Sequence, residues 1–136
     1  MHEYSLKVFF EDTDATGVVY HANYVKYMER CRSDWLDTIG WNLRRVNEEF
    51  AIAFAVSKLS VQYVQPARLN DVLCVKTELV RLGAASLSFA QEVWRGNDLL
   101  CRGEVKVACL NAQTFKPVQI PQPLYAAIAA SVAERT

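Results

Sequence analysis

The chain carries one long amphipathic helical stripe, with no partner helix of its length nearby. Tyr24, Met28, Cys31, Trp35 and Ile39 recur at helical spacing, and Tyr27 and Leu36 widen the apolar face. Arg30, Arg32, Asp34 and Asp37 fall mostly off it. The spacing predicts a helix over residues 22–39, roughly 27 Å long at 1.5 Å per residue, with Gly40 as its C-terminal cap. A stripe this wide needs a surface to bury it, and most of the chain beyond the helix has strand periodicity. Ser57, Leu59, Val61 and Tyr63 alternate with Lys58, Ser60, Gln62 and Val64. Leu73, Val75, Thr77 and Leu79 do the same, as do Leu87, Phe89 and Val93, and then Cys101, Gly103, Val105, Val107 and Cys109.

The long helix must therefore lie against a sheet. A first strand is expected over residues 4–10 and a short helix over 43–50. Turns are expected at Pro66 to Asp71, at Gly83 and at Gly96-Asn97-Asp98, and an Ala-rich helix over 124–134. Consecutive strands joined by short turns predict an antiparallel meander. The expected fold is α+β, one domain over residues 1–136, with a curved antiparallel sheet wrapped around a central helix. Strands this long leave long edges, and pairing an edge with a second copy predicts a homo-oligomer.

Composition narrows the function classes. At 136 residues and 51% hydrophobic, the chain can bury a core without staples. Fifteen Lys and Arg balance 15 Asp and Glu, which argues against a basic face for nucleic acid or a polybasic membrane patch. No apolar run approaches the ~20 residues of a membrane helix, and the first residues lack the pattern of a signal peptide. A cytoplasmic protein is expected, with no membrane insertion. Cys31, Cys74, Cys101 and Cys109 show no CxxC spacing and read as reduced, buried thiols. His2 and His21 are far apart in sequence, so no metal set and no cofactor is expected.

Chemistry concentrates where the first strand meets the long helix, in Glu11-Asp12-Thr13-Asp14-Ala15-Thr16-Gly17-Val18-Val19-Tyr20-His21-Ala22-Asn23-Tyr24. A helix start presents unpaired N–H groups and the positive end of the dipole, which stabilise an oxyanion. A carboxylate beside it could attack a carbonyl carbon or deprotonate a water. No G-x-S-x-G elbow competes with that reading. On spacing alone, capping and turn chemistry remain the commoner explanation of Asp-Thr-Asp before a helix, and Lys58 and Arg68 read most simply as surface charges.

Residues 9–24 resemble the N-terminal signature of the 4-hydroxybenzoyl-CoA thioesterase family of hotdog proteins, and most closely its bacterial Tol–Pal-associated acyl-CoA thioesterase subgroup. Glu29-Arg30-Cys31-Arg32 is similar to the family's Glu-x-Ala-Arg, with Cys for Ala. Tyr63-Val64-Gln65-Pro66-Ala67-Arg68-Leu69-Asn70-Asp71 is similar to its Tyr-x-x-Pro-Ala-Arg-x-x-Asp. The resemblance implies a long helix wrapped by a five-stranded sheet, dimers or dimers of dimers, and acyl-CoA hydrolysis. It implies that Asp14 is the catalytic carboxylate and that the backbone amide of His21 polarises the thioester carbonyl. Tyr20, Asn23 and Tyr24 match neighbouring pocket or helix-start positions, and Asp12 is the turn residue. Arg68, Arg81 and Arg102 are candidates for a phosphate contact, but the turn around Arg81 is otherwise apolar. The expected thiol carrier is therefore CoA held weakly, or acyl carrier protein. A hotdog dehydratase would need a His on the buried helix, which has Glu29 instead. A binding module without catalysis is the remaining alternative.

Overall fold

The computed structural model describes residues 1–133. The chain runs β1 (His2–Lys7), a single 3-10 turn (Phe10–Asp12), α1 (Asn23–Thr38), α2 (Leu43–Phe50), β2 (Ile52–Tyr63), β3 (Val72–Leu82), β4 (Ser86–Arg95), β5 (Asp98–Asn111) and α3 (Gln122–Ala133). The five strands form one sheet in the order β1-β3-β4-β5-β2, every neighbouring pair antiparallel.

The helix stripe behaves as its spacing requires. Tyr24, Tyr27, Met28, Cys31, Trp35 and Leu36 are all buried between α1 and the sheet. Each large apolar side chain so buried contributes roughly 1.5–3 kcal/mol of transfer free energy. Gly103 on β5 leaves room for the end of the buried Met28 side chain. A Cβ built there would meet the Met28 Sδ at 2.7 Å. Polar groups then fix the helix in register. Gln91, 1% exposed, accepts from Arg32 Nη1 at 2.9 Å and donates to the Met28 carbonyl and the Thr77 hydroxyl. Thr77 in turn donates to the Cys31 Sγ. This chain of bonds ties α1 to β3 and β4 with each buried partner satisfied.

Two expectations need correction. The strands are not a simple meander, because only β3, β4 and β5 follow one another across the sheet. β2 takes the far edge beside β5, and the chain then crosses to start β3 beside β1. The first strand also stops at Lys7 rather than Phe10. The Asp12 carboxylate accepts the Phe9 N–H at 2.8 Å and curls the chain into the 3-10 turn, which leaves Phe9 59% and Phe10 80% exposed. The short helix falls at the predicted 43–50, capped by the Asn42 side chain on the Arg45 N–H. The expected end of the last helix at Glu134 lies outside the described residues.

Candidate active site

The loop between the 3-10 turn and α1 folds on itself. Thr13 bridges Val19, the Asp14 N–H donates to the Val18 carbonyl, and the Gly17 N–H donates back to the Asp14 carbonyl. Gly17 has φ +80°, the left-handed conformation that lets this tight turn close. Asp12 and Asp14, two residues apart, take opposite roles. Asp12 is 6% exposed, and its second oxygen accepts from the Asn23 side chain at 3.0 Å, which ties the loop to the first residue of α1. Asp14 projects from the tip of the turn into solvent. Its Oδ1 accepts both the hydroxyl and the backbone N–H of Thr16. These bonds, with a smaller electrostatic contribution from His21, hold its carboxyl below the usual aspartate value.

Helix α1 begins without a side-chain cap. Neither His21 nor Ala22 directs its backbone N–H to an acceptor among the described residues. An uncapped helix start forgoes about 1 kcal/mol and leaves donors at the positive end of the dipole. Here they sit beside an exposed, ionised carboxylate.

The opposite wall comes from the segment joining β2 to β3. The Ala67 N–H donates to the Tyr24 hydroxyl at 3.0 Å, the Ala67 carbonyl accepts from the Val19 N–H, and Arg68 bridges Val18. The Tyr63 hydroxyl donates to the His21 carbonyl at 2.7 Å, and its ring meets Tyr24 edge-on at 5.5 Å. Asp71 holds the turn. Burial opposes its charge, but hydrogen bonds from Arg95 and the Arg68 N–H prevail and keep the carboxyl low. Between the two walls lies an open groove of about 310 Å³ lined by Asp14, Val19, His21, Tyr24, Tyr63 and Pro66, among others.

The structure thus brings Asp14, His21 and Tyr24 into one groove, with Tyr24 buried as part of its floor. Asn23 is buried and turned to Asp12 rather than to the groove. Tyr20 is exposed and lies against the His21 ring at 4.4 Å. Arg68 is exposed at the groove's border, beside Val18. Arg81 does not join this group, because it lies at the far end of β3, opposite Ser88. Tyr63, Val64, Gln65 and Pro66 line the groove although no site role was assigned to them. Their only signal in the sequence is the Tyr-x-x-Pro-Ala-Arg motif, since strand periodicity alone leaves Tyr63 as another alternating residue.

Comparison with known proteins agrees with this construction. A model of the thioesterase superfamily matches residues 16–102. The acyl-CoA thioesterase YbgC of Haemophilus influenzae is 39% identical over 124 residues, covering 91% of each chain. The acyl-CoA thioester hydrolase YbgC of Escherichia coli O157:H7 is 38% identical over 127 residues, covering 93% of this chain and 94% of its own. Among solved structures, a probable thioesterase from Bartonella henselae superposes with a TM-score of 0.85 at 31% identity, covering 88% of this chain and 98% of its own. A Thermus thermophilus protein of unassigned function superposes with a TM-score of 0.89 at 31% identity, over 96% of this chain and 98% of its own. The helix wrapped by a five-stranded antiparallel sheet is the hotdog fold, and the chain belongs to the thioesterase superfamily.

Proposed function

We propose that this protein is an acyl-CoA thioesterase whose reaction takes place in the Asp14–His21 groove. The observation that carries the reading is the pairing of an exposed, ionised carboxylate with free N–H groups at an uncapped helix start. The thioester carbonyl oxygen accepts from the His21 N–H and gains negative charge in the transition state, where the helix dipole favours it. Asp14 attacks the carbonyl carbon through Oδ2, which has no protein partner among the described residues. The C–S bond breaks, the CoA thiolate leaves, and water hydrolyses the resulting anhydride.

The relatives named as acyl-CoA thioesterases support CoA as the carrier, ahead of acyl carrier protein. The motif resemblance favours the Tol–Pal-associated subgroup, and a cytoplasmic setting follows from a CoA substrate. Among the described residues, no helix is long and apolar enough to cross a membrane. The free edge of β2, with Val56, Leu59 and Tyr63 all more than 40% exposed, supports a dimer formed by antiparallel β2 pairing. That pairing sets the Phe54 end of one β2 beside the Tyr63 end of the other. Phe54 lines an apolar cavity of about 160 Å³, together with Arg32, Leu36, Leu87 and Ile128. We assign the acyl group to the partner's copy of this cavity, whose size suits a group of roughly six carbons.

Thiol release from acyl-CoAs of graded chain length, followed with a chromogenic disulfide, tests the reading. Turnover with an optimum at short chains is expected. Binding without thiol release at every length would overturn it.

A further inference from the structure

His21 stands between two peptide groups, and each of them has one donor and one acceptor. In the peptide before it, the Tyr20 carbonyl accepts the Asn23 N–H at 2.8 Å, a bond from the first residue of α1. The C=O and N–H of a trans peptide point opposite ways. That bond therefore turns the His21 N–H away from the body of the helix, where it has no acceptor among the described residues. The peptide after His21 is held differently. The nearby backbone donors go elsewhere, Asn23 to Tyr20 and the Val25 N–H to the Ala22 carbonyl at 3.2 Å. Among the described residues, the His21 carbonyl bonds the Tyr63 hydroxyl, at 2.7 Å and 42 positions along the chain.

Packing explains the ring of Tyr63 and leaves its hydroxyl unexplained. The ring meets Tyr24 edge-on at 5.5 Å and the His21 ring at 6.3 Å, contacts that a Phe would make as well. The hydroxyl bond is exposed to water on both sides, and Tyr63 is 47% exposed. A hydrogen bond that water can replace adds little to stability. What the bond does is geometric. It stops the His21–Ala22 peptide from rotating, while the Asn23 bond stops the Tyr20–His21 peptide. It also polarises the peptide it holds, which makes the Ala22 N–H a better donor. Burial raises the Tyr63 hydroxyl above the usual tyrosine value, so near neutral pH it keeps the proton it donates. Helix α1 has no side-chain cap of its own to do this work.

We propose that Tyr63 is a positioning residue for the oxyanion donor: its hydroxyl locks the His21–Ala22 peptide and so keeps the His21 N–H aimed at the thioester oxygen. The assignment rests on the thioesterase reading and deepens it, since Tyr63 acts through His21 and not on the reacting carbon. A donor held on both sides needs no reorganisation when charge develops on the oxygen. Without the hydroxyl, one of the two ties is gone and the donor swings. Tyr63 is also the last residue of β2, which pairs within the chain only with β5. The β2 pairing of the proposed dimer would steady the same residue, so the donor's aim is tied to the edge where two copies meet.

The test compares the wild-type protein with Tyr63→Phe, which keeps the ring and deletes the hydroxyl. With a short acyl-CoA, kcat for thiol release should fall about tenfold, less than the roughly 10²- to 10³-fold lost with a whole oxyanion donor. KM should stay within about twofold, the mark of an interaction used in the transition state, and the melting temperature within about 2 °C. The second readout is the carbonyl stretch of a ¹³C-labelled acyl-CoA bound to Asp14→Asn, taken by infrared difference spectroscopy. A donor on the thioester oxygen lowers that frequency, and adding Tyr63→Phe should move the band back toward its value in free acyl-CoA. An unchanged kcat would overturn the proposal, whatever the melting temperature does. A lower kcat with an unmoved carbonyl band would overturn it too, because the hydroxyl would then act on something other than the donor. Tyr63→3-fluorotyrosine carries the test if Tyr63→Phe does not fold. Its hydroxyl is more acidic and a phenolate cannot donate, so the alkaline limb of kcat should move to lower pH; an unmoved limb defeats the assignment. If the wild-type protein releases no thiol from any acyl-CoA, the thioesterase reading fails. Wild-type turnover matched by Tyr63→Phe defeats the role of Tyr63 alone.

Discussion

Removing the carboxylate of Asp12 and removing that of Asp14 should damage the protein in different ways. Asp12 accepts the Phe9 N–H at 2.8 Å and the Asn23 side chain at 3.0 Å, and Asn23 is 8% exposed. Asp12→Ala therefore deletes two charge-assisted bonds and strands a buried amide. A hydrogen bond to a charged group contributes about 1.5–3 kcal/mol. The Phe9 end is only partly buried and counts for less. The expected loss is about 2–4 kcal/mol, or a melting temperature lower by roughly 10 °C for a chain of this size. Asp14 bonds only within its own turn and is exposed. Asp14→Asn should melt close to the wild-type temperature while kcat for thiol release falls by about 10²- to 10⁴-fold. Thermal melts followed by circular dichroism and thiol-release kinetics on the same preparations separate the two effects. A folded Asp14→Asn protein with near-normal turnover would refute the catalytic assignment. An Asp12→Ala protein with an unchanged melting temperature would refute the view that this tie positions the loop.

The same geometry sets four further outcomes. The Thr16 bonds favour ionised Asp14, so activity should persist as pH falls to the ordinary aspartate value and be lost only below it; Thr16→Val should move that acid limb of kcat/KM to higher pH. Single-turnover hydrolysis in ¹⁸O-water, followed by peptide mass spectrometry, should leave label on Asp14 as water opens the anhydride at the Asp14 carbonyl, an outcome that general-base activation of water cannot produce. Burial pushes the Cys31 and Cys101 thiols up to about 11, so native protein should not react at these residues with the chromogenic disulfide at roughly pH 8, and denatured protein should react at all four cysteines. Gly103→Ala should cost about 1–3 kcal/mol in urea unfolding, because its new methyl would overlap the buried Met28 side chain.

What could be read from the sequence, and what could not, divides along the reach of the interactions. The α1 stripe from Tyr24 to Leu36 and the α2 span were legible because burial on a helix is a local period of 3.6. Asp14 and His21 were legible as neighbours because only one turn separates them. Strand alternation says which face a residue takes and nothing about which strand lies beside it, so the move of β2 to the far edge was hidden. Tyr63 and Pro66 joined the site through tertiary contacts, the Tyr63 hydroxyl on the His21 carbonyl and Ala67 on Tyr24 and Val19. Phe9 and Phe10 misled, since their apolar character continued the strand pattern while Asp12 bent the backbone away from it.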